Sequence, residues 1–184
     1  MAVLLNQLRL EHINYSRLLN LLEVDIMALQ SGGKADYLRM QDIMKYMINY
    51  PDVFHHRCEE ILFDKLHGLG KKEEATVNKL RSEHRHLTEL GQTLADLLTH
   101  AAGGHIVSRD EILEAAEEYW SIMRKHLITE EREIYPLIEA SLTEADWDEA
   151  VAQIGDISDP VFGGPVADEY RRLFDSITRQ KAAG

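Results

Sequence analysis

Apolar residues recur at every third or fourth position through four long stretches of the chain, which is the period of an α-helix rather than of a β-strand. The stretches span roughly residues 3–30, 36–67, 72–101 and 108–142. Glycines interrupt the pattern between them, and Ser108 with Glu111 forms a capping box at the start of the fourth stretch. Amphipathic helices with short connections bury their apolar faces against one another. The sequence therefore predicts an all-α fold, an antiparallel up-down four-helix bundle over residues 1–142.

The C-terminal segment, residues 143–184, does not continue this pattern. Thr143 and Asp146 are typical of a helix start, and a loop rich in proline and glycine follows at 159–165. A last short helix is expected from about residue 166 to 180. We predict a short helical C-terminal extension that packs on the bundle or forms the contact of a homodimer.

Charge and composition exclude several classes of partner. Thirty-two acidic residues against 20 basic residues give a formal net charge of −12, which repels nucleic acid and anionic membranes. No apolar run approaches the length of roughly 18 residues that a membrane span needs. The N-terminus lacks the features of a signal peptide, and the single cysteine, Cys58, cannot form an internal disulfide. We therefore expect a cytoplasmic protein with no nucleic-acid or membrane partner.

The apolar stripes carry an internal repeat of polar residues. His12 and His84 end two similar segments, LRLEH and LRSEH, and lie 72 positions apart. His55 and His126 lie 71 positions apart, and each of them begins an H-x-x-x-E motif. The chain therefore has the pattern of two copies of one helical hairpin. The candidate metal ligands from this repeat are His12, His55, Glu59, His84, His126 and Glu130.

These six side chains are predicted to meet at one level inside the bundle. Residues four apart share a helix face, and the alternating helix directions bring the four histidines to the same depth. Unpaired buried carboxylates are costly, so we interpret this layer as a metal site. Mixed imidazole and carboxylate ligands favour iron, manganese or zinc, and six ligands exceed the needs of one tetrahedral zinc. Two carboxylates placed by symmetry can bridge two metals, so a dinuclear iron centre is the natural fit.

Neighbouring residues leave alternatives open. Glu131 is a rival of Glu130 as a ligand, although the repeat and the four-residue spacing favour Glu130. His56 and Glu60 form a second H-x-x-x-E pair, which we place on the polar, solvated face of the second helix. Pro51 is expected to kink that helix, because it lacks a backbone N–H and crowds the preceding turn.

At these residues the chain resembles the hemerythrin-like, or HHE cation-binding, family, over about residues 12–142. The motifs that carry the resemblance are Glu11-His12, Tyr50-Pro51-Asp52 with His55-His56 and Glu59-Glu60, Glu83-His84, and His126 with Glu130-Glu131 and Tyr135-Pro136-Leu137. The resemblance implies a four-helix bundle that holds two non-haem iron ions with carboxylate and oxo or hydroxo bridges. It also implies that the centre binds or reacts with oxygen, nitric oxide or hydrogen peroxide.

One position departs from the oxygen-carrying members of that family, which have a histidine four residues after the third-helix histidine. This chain has Thr88 there and is similar to the more symmetric variants with four histidines and two glutamates. An iron with one fewer imidazole keeps an open position, which favours redox turnover over storage of intact dioxygen. Two alternatives remain: an iron-handling or repair protein with labile iron, and a sensor or interaction module that metal binding orders.

Overall fold

The computed structural model describes residues 2–155 and 159–183, which are helical over most of their length and contain no β-strand. The helices are α1 (Ala2–Gln30), α2 (Tyr37–Asn49), α3 (His56–Asp64), α4 (Lys71–Ala102), α5 (Arg109–Thr129), α6 (Tyr135–Ser141), α7 (Glu144–Ile154) and α8 (Arg171–Ala183). The predicted all-α fold class is confirmed. Within the described ranges, no helix combines the length and the apolar character needed to cross a lipid bilayer.

Four helical rods form the bundle, and each rod contacts two neighbours. α1 packs against α2 and α5, and α4 packs against the same two helices from the opposite side. Two rods are interrupted, because α2 continues into α3 and α5 continues into α6 through short π-helical turns. The rods begin and end within three residues of the four stretches predicted from the apolar period.

Side-chain caps explain where two of the helices begin. The Ser108 hydroxyl accepts a hydrogen bond from the backbone N–H of Glu111 at the start of α5. At the start of α7, Thr143 and Asp146 form a reciprocal capping box. Such caps satisfy backbone N–H groups that have no partner inside the helix. Both starts were predicted from the sequence.

Two π-helical turns, Pro51–His55 and Glu130–Ile134, interrupt the second and fourth rods. The predicted kink at Pro51 takes the form of the first of these turns. A π-helical turn contains more residues than an α-helical turn, so it rotates the face that the following residues present to the core. His55, which ends the first turn, and His56, which follows it, are both buried.

A polar layer divides the apolar core into two clusters. On α1 the boundary falls between Leu8 and Tyr15, and on α4 it falls between Leu80 and Leu87. Each of these intervals contains one of the predicted ligand histidines. Apolar side chains therefore lie on both sides of the layer and keep bulk water from it, which strengthens electrostatic interactions inside it.

The described part of the C-terminal extension lies against the bundle. α7 contacts α3, and α8 contacts α2. Tyr170 and Leu173 are buried in the same cluster as the bundle residues. The connecting loop is held by Tyr46 on α2, whose hydroxyl donates a 2.8 Å hydrogen bond to Asp159 Oδ2. The extension residues 156–158 and 184 lie outside the described residues.

Gly91 on α4 allows three helices to approach closely. A Cβ atom at this position would lie 2.9 Å from Ile48 Cγ2 and 3.3 Å from Tyr119 Cε2.

We expect Gly91→Leu to lower the free energy of unfolding by about 2 kcal/mol, because overpacking outweighs the gain in helix propensity. The melting temperature should fall by about 4 to 8 °C. Thermal denaturation tests this, with exposed Gln92→Leu as control; equal melting temperatures for the two variants would contradict it.

Candidate metal centre

The six residues predicted to bind metal lie together in the polar layer, and all four rods contribute. They are His12 on α1, His55 in the first π turn, Glu59 on α3, His84 on α4, His126 on α5 and Glu130 in the second π turn. Each of them is at most 6% exposed. The structure therefore brings every predicted ligand into one buried layer.

Each of the four histidines has its Nδ1 atom held by a glutamate from another element. The pairs are His12 with Glu131 (2.9 Å), His55 with Glu11 (2.6 Å), His84 with Glu60 (2.8 Å) and His126 with Glu83 (3.1 Å). An ionised carboxylate only accepts hydrogen bonds, so in each pair Nδ1 carries the proton and donates it. This tautomer leaves the Nε2 lone pair facing the centre of the layer. Carboxylates hold metal-binding histidines in the same way.

The Nε2 atoms of His12 and His55 lie 2.9 Å apart. If both rings were neutral, with their protons on Nδ1, two lone pairs would face each other at this distance. A proton on one ring, or a cation between the rings, removes that repulsion. This half of the layer therefore has the donor arrangement of a cation site.

Glu59 reaches histidines in both halves of the layer. Its Oε1 atom lies 3.4 Å from His55 Nε2 and 3.7 Å from His12 Nε2. Its Oε2 atom lies 3.4 Å from His84 Nε2, on the opposite side. One carboxylate thus places an oxygen beside each half.

Glu130 makes the second connection between the halves. Its Oε1 atom lies 2.9 Å from His126 Nε2, and its Oε2 atom lies 3.5 Å from His12 Nε2. Its rival, Glu131, is 35% exposed and contacts the outer Nδ1 atom of His12. Glu130 thus faces the inner Nε2 atoms of the layer, and Glu131 faces an outer Nδ1 atom.

Two carboxylate oxygens of the layer, Glu59 Oε2 and Glu130 Oε2, make no hydrogen bond with any residue that the structure describes. Each lies near a histidine Nε2 atom, at 3.4 Å and 3.5 Å respectively. An ion pair at that distance without a hydrogen bond offsets only part of the desolvation cost of a buried carboxylate oxygen. Bound cations would satisfy these atoms, and imidazole with carboxylate is a donor set that transition metals accept. The residues present therefore fit a metal.

Burial and charge act in opposite directions on the histidine pKa values. Burial alone would lower them, but the surrounding carboxylates outweigh it and raise the pKa of His126 to about 9, of His55 to about 10 and of His84 to about 11. Burial would likewise raise the pKa of Glu59, but His55 and the other imidazoles hold it well below its usual value. The metal-free layer is therefore a network of ion pairs in which protons occupy the histidines.

This network makes the stability of the metal-free protein dependent on pH. The histidine pKa values exceed the ordinary value near 6.5, so their contribution is complete below pH 6.5 and is lost as the pH rises through about 9 to 11. We expect chemical denaturation to show a fall in unfolding free energy across that window. Divalent metal should displace the protons and remove the fall. The same stability for the metal-free protein at pH 7 and pH 10 would contradict this account.

The prediction that His56 lies on a solvated face was wrong. His56 is 4% exposed, and its ring stacks on His84 with a centroid distance of 4.2 Å. The helical count that placed it outside extended across the Pro51–His55 turn, which rotates the downstream residues. Burial and the charge of His84 lower the pKa of His56 well below its usual value, so the ring is neutral. Glu60 does remain partly exposed and holds His84.

Tyr135 is a site residue whose role the sequence analysis did not identify. Its hydroxyl donates a 2.5 Å hydrogen bond to Glu59 Oε1 and lies 3.0 Å from His12 Nε2. Burial and the neighbouring carboxylates raise its pKa well above the usual value, so the phenol stays protonated. The available signal was the Tyr135-Pro136 pair, but the second π turn, which directs this tyrosine inward, was not evident from the period.

A cavity of about 290 Å³ adjoins the His55 half of the layer, between α1, α3 and α7. Glu11, Tyr50 and Cys58 contribute to its walls. The Tyr50 hydroxyl donates to Glu11 Oε1, and Glu11 in turn holds His55. Burial raises the pKa of the Cys58 thiol to about 12, so it is not a reactive thiolate. The cavity offers space for a small molecule beside His55.

Comparison with known families agrees with this geometry. The family model described as the hemerythrin HHE cation-binding domain matches residues 3–138, and it matches again at residues 75–179. The second match begins 72 positions after the first, which is the offset between His12 and His84 and agrees with the internal repeat. No curated protein and no solved structure matched the chain. Because the first match covers most of the chain and includes the whole polar layer, the chain belongs to the hemerythrin HHE cation-binding domain family.

Proposed function

We propose that the polar layer is a non-haem di-iron centre. Its protein ligands are His12 and His55 for one iron, His84 and His126 for the other, and Glu59 and Glu130 as bridges. One observation supports the proposal most strongly: two buried carboxylates each approach imidazoles of both halves. A site for a single metal does not require two carboxylates that each reach both halves of the layer.

The donor set also supports the choice of metal. Six inner donors exceed the four that a structural zinc takes, and hard cations such as magnesium prefer oxygen ligands alone. Imidazole mixed with carboxylate suits iron. The two inner glutamates neutralise only part of the charge of two divalent ions. Oxo or hydroxo bridges would reduce the positive charge that remains.

The residues around the centre have distinct tasks in this proposal. The four outer glutamates keep the Nδ1 protons in place and orient the rings. The apolar clusters above and below exclude water, and the protonated Tyr135 hydroxyl supplies a hydrogen-bond donor beside Glu59. The irons, when bound, supply redox and Lewis-acid chemistry toward a small ligand.

We further propose that the ligand is a small diatomic or peroxide, namely oxygen, nitric oxide or hydrogen peroxide. Membership of the hemerythrin family supports this chemical class, and the cavity beside His55 has room for a ligand of this size. In this proposal, residues 1–142 form the metal-binding bundle and residues 143–184 an extension packed on it. The single, buried Cys58 is compatible with a reducing, cytoplasmic location.

The proposal is tested by the visible absorption spectrum of protein loaded anaerobically with ferrous iron. We expect charge-transfer bands of an oxidised di-iron centre to appear when oxygen is added. Bands that disappear when oxygen is removed would indicate reversible binding, and bands that persist would indicate redox turnover. A loaded protein with no spectral response to oxygen, nitric oxide or peroxide would contradict the proposal.

The same sample distinguishes the iron-handling alternative. We expect a redox centre to keep its iron through a short exposure to a mild chelator, because the ligands are buried at 6% exposure or less. Complete loss of iron within that exposure would favour a protein that passes its metal on. Atomic absorption of the desalted protein measures the difference.

A further inference from the structure

We infer that the groove between α1 and the rod of α5 is the docking site of an acidic electron-carrier protein, which passes single electrons to the metal centre. The inference rests on the proposed di-iron function, because reduction of oxygen or peroxide consumes electrons that another protein must supply. Four arginines of the groove recognise the partner: Arg9, Arg17, Arg124 and Arg132. His12, which also lines the groove, connects the partner to the centre.

The shape of the groove fits the surface of another protein. Its volume is about 630 Å³, and it follows α1 from Arg9 to Asn20, which is a length of roughly 16 Å. Apolar side chains form its centre, where Ile13 is 50% exposed and Ile128 is 49% exposed. Exposed apolar side chains within a polar, arginine-rich rim are typical of protein interfaces. The groove is therefore an interaction surface.

The charge of the groove determines the kind of partner. Its lining contains four arginines and one glutamate, whereas the whole chain has 32 acidic and 20 basic residues. Arg9 and Arg124 already pair with glutamates of this chain. Arg17 and Arg132 are exposed, and neither makes an ion pair with any residue in the described ranges. Guanidinium groups bind carboxylates with two parallel hydrogen bonds, so the partner presents Asp or Glu side chains.

The net charge of the chain orients such a partner. The formal charge of −12 repels an acidic protein from most of the surface, and the arginines attract it at the groove. Contacts between electron-transfer proteins are small and weak, with less than about 1,200 Å² of buried surface. A groove of this size is sufficient for a contact of that kind.

His12 gives the groove its connection to the centre. Its outer Nδ1 atom donates to Glu131 at 2.9 Å, and Glu131 also lines the groove. Its inner Nε2 atom lies 3.7 Å from Glu59 and 3.5 Å from Glu130. One imidazole ring therefore extends from the groove to the proposed metals.

The transfer itself moves one electron. The reduced partner loses the electron, a ferric ion gains it and becomes ferrous, and no bond of the chain forms or breaks. The cavity beside His55 is not an alternative docking site for an acidic protein, because its described lining residues include no lysine or arginine. The two openings near the polar layer thus differ in charge as well as in size.

The binding test uses the full, iron-loaded chain and an oxidised plant-type [2Fe–2S] ferredoxin, which is an acidic one-electron carrier. Isothermal titration calorimetry measures the dissociation constant without electron transfer. We expect binding to weaken between about 10 mM and about 150 mM salt, because the screening length falls from about 30 Å to about 8 Å. Arg17→Glu combined with Arg132→Glu should weaken binding about 10- to 100-fold at the lower salt.

Two further double variants serve as controls. Arg17→Lys with Arg132→Lys keeps both charges, so it should retain most of the affinity and the salt dependence. Lys71→Glu with Arg85→Glu changes the net charge by the same amount at exposed positions of α4, so it should weaken binding far less. Circular dichroism verifies that every variant is helical.

Electron transfer provides the second readout. Stopped-flow absorption, without oxygen, follows the oxidation of reduced ferredoxin by the chain in its ferric form. We expect the second-order rate constant to fall with the affinity in the Arg17→Glu, Arg132→Glu variant. Reduced methyl viologen is a small cation that does not bind arginine, so its rate constant should not fall in the same variant.

Several outcomes would overturn the inference. Ferredoxin binding or oxidation that is equal in the wild type and in the Arg17→Glu, Arg132→Glu variant is one of them, and binding without electron transfer is another. Failure to bind ferredoxin, with arginine-dependent dimerisation or decanoate binding instead, would assign the groove to a second copy of the chain or to a fatty acid.

The proposed function can fail separately. An iron form that ignores oxygen, nitric oxide and peroxide, but accepts electrons from ferredoxin through the arginines, would contradict the function and support the docking site. An iron form that reacts with oxygen, but takes electrons from ferredoxin at the same rate in every variant, would support the function and overturn the docking site.

Discussion

Replacing Glu59 by alanine is expected to reduce the metal content of the protein from two ions to fewer than one per chain. Glu59 has an oxygen beside each half of the layer, at 3.4 Å from His55 Nε2 and at 3.4 Å from His84 Nε2. Its loss removes a ligand from both metals and leaves Glu130 as the one inner carboxylate, of the two proposed, to offset the charge of two cations. Elemental analysis of protein loaded anaerobically with ferrous iron and then desalted measures the effect.

Matched pairs of adjacent glutamates provide the controls. Glu60→Ala removes only the outer partner of His84, so we expect it to weaken iron binding about 10- to 100-fold while two ions still bind at saturation. The same contrast is expected between Glu130→Ala and Glu131→Ala. Circular dichroism verifies that each variant is helical. Loss of metal from the Glu60 and Glu131 variants, with full content in the other two, would show that the assignment of inner and outer residues is reversed.

Removing the metals is expected to lower the melting temperature by about 10 °C. A ligand present at about 1,000 times its dissociation constant stabilises the fold by roughly 4 kcal/mol, and 1 kcal/mol corresponds to about 2 to 4 °C in a chain of this size. The polar layer gives this effect a structural origin. Without cations, its histidines must hold protons to balance the two buried carboxylates, and Glu59 Oε2 and Glu130 Oε2 make no hydrogen bond with any described residue.

Thermal denaturation with and without iron, under anaerobic conditions, measures this shift. The control is Glu59→Ala, which should melt at the same temperature in both conditions because it no longer holds the metals. Equal melting temperatures for the loaded and metal-free wild type would mean that the layer is a structural polar network and not a metal site.

The apolar period was sufficient to predict the bundle. The helix boundaries agree with the predicted stretches because local sequence signals mark them. The Ser108 and Thr143 caps, at the starts of α5 and α7, are examples. The six inner residues could also be predicted from the sequence, because histidine and glutamate are rarely found on an apolar helix face without a compensating partner. The motif occurs twice, with offsets of 72 and 71 residues between the copies. This repeat indicates the set of four histidines and two glutamates without a structure.

The helical period of the apolar residues predicts the wrong helix face at positions where the rods are π-helical. Successive residues of a regular α-helix are rotated by about 100°, but the π turns at Pro51–His55 and Glu130–Ile134 change that rotation. His56 and Tyr135 therefore appear on the wrong faces in a regular helical count. A proline near each motif was visible, but it indicates a distortion without giving the resulting rotation. The side chains most affected are those closest to the proposed metals.

The sequence contains the outer glutamates beside the predicted ligands, but it does not indicate which histidine each of them contacts. Glu11 and Glu83 each precede a histidine in the repeat, yet each holds a histidine on a different helix. Such pairing depends on how adjacent helices face one another, which one sequence does not specify. Thr88 is a related case: its hydroxyl donates to the backbone carbonyl of His84 and contributes no inner ligand.

The central claim is that two metals lie between Glu59 and Glu130. Anomalous X-ray scattering at the iron absorption edge, from crystals loaded anaerobically with ferrous iron, tests it most directly. We predict two anomalous peaks per chain within the polar layer, separated by about 3.5 to 4 Å as in other bridged pairs. A single peak in the layer, or peaks only at surface carboxylates, would contradict the di-iron account.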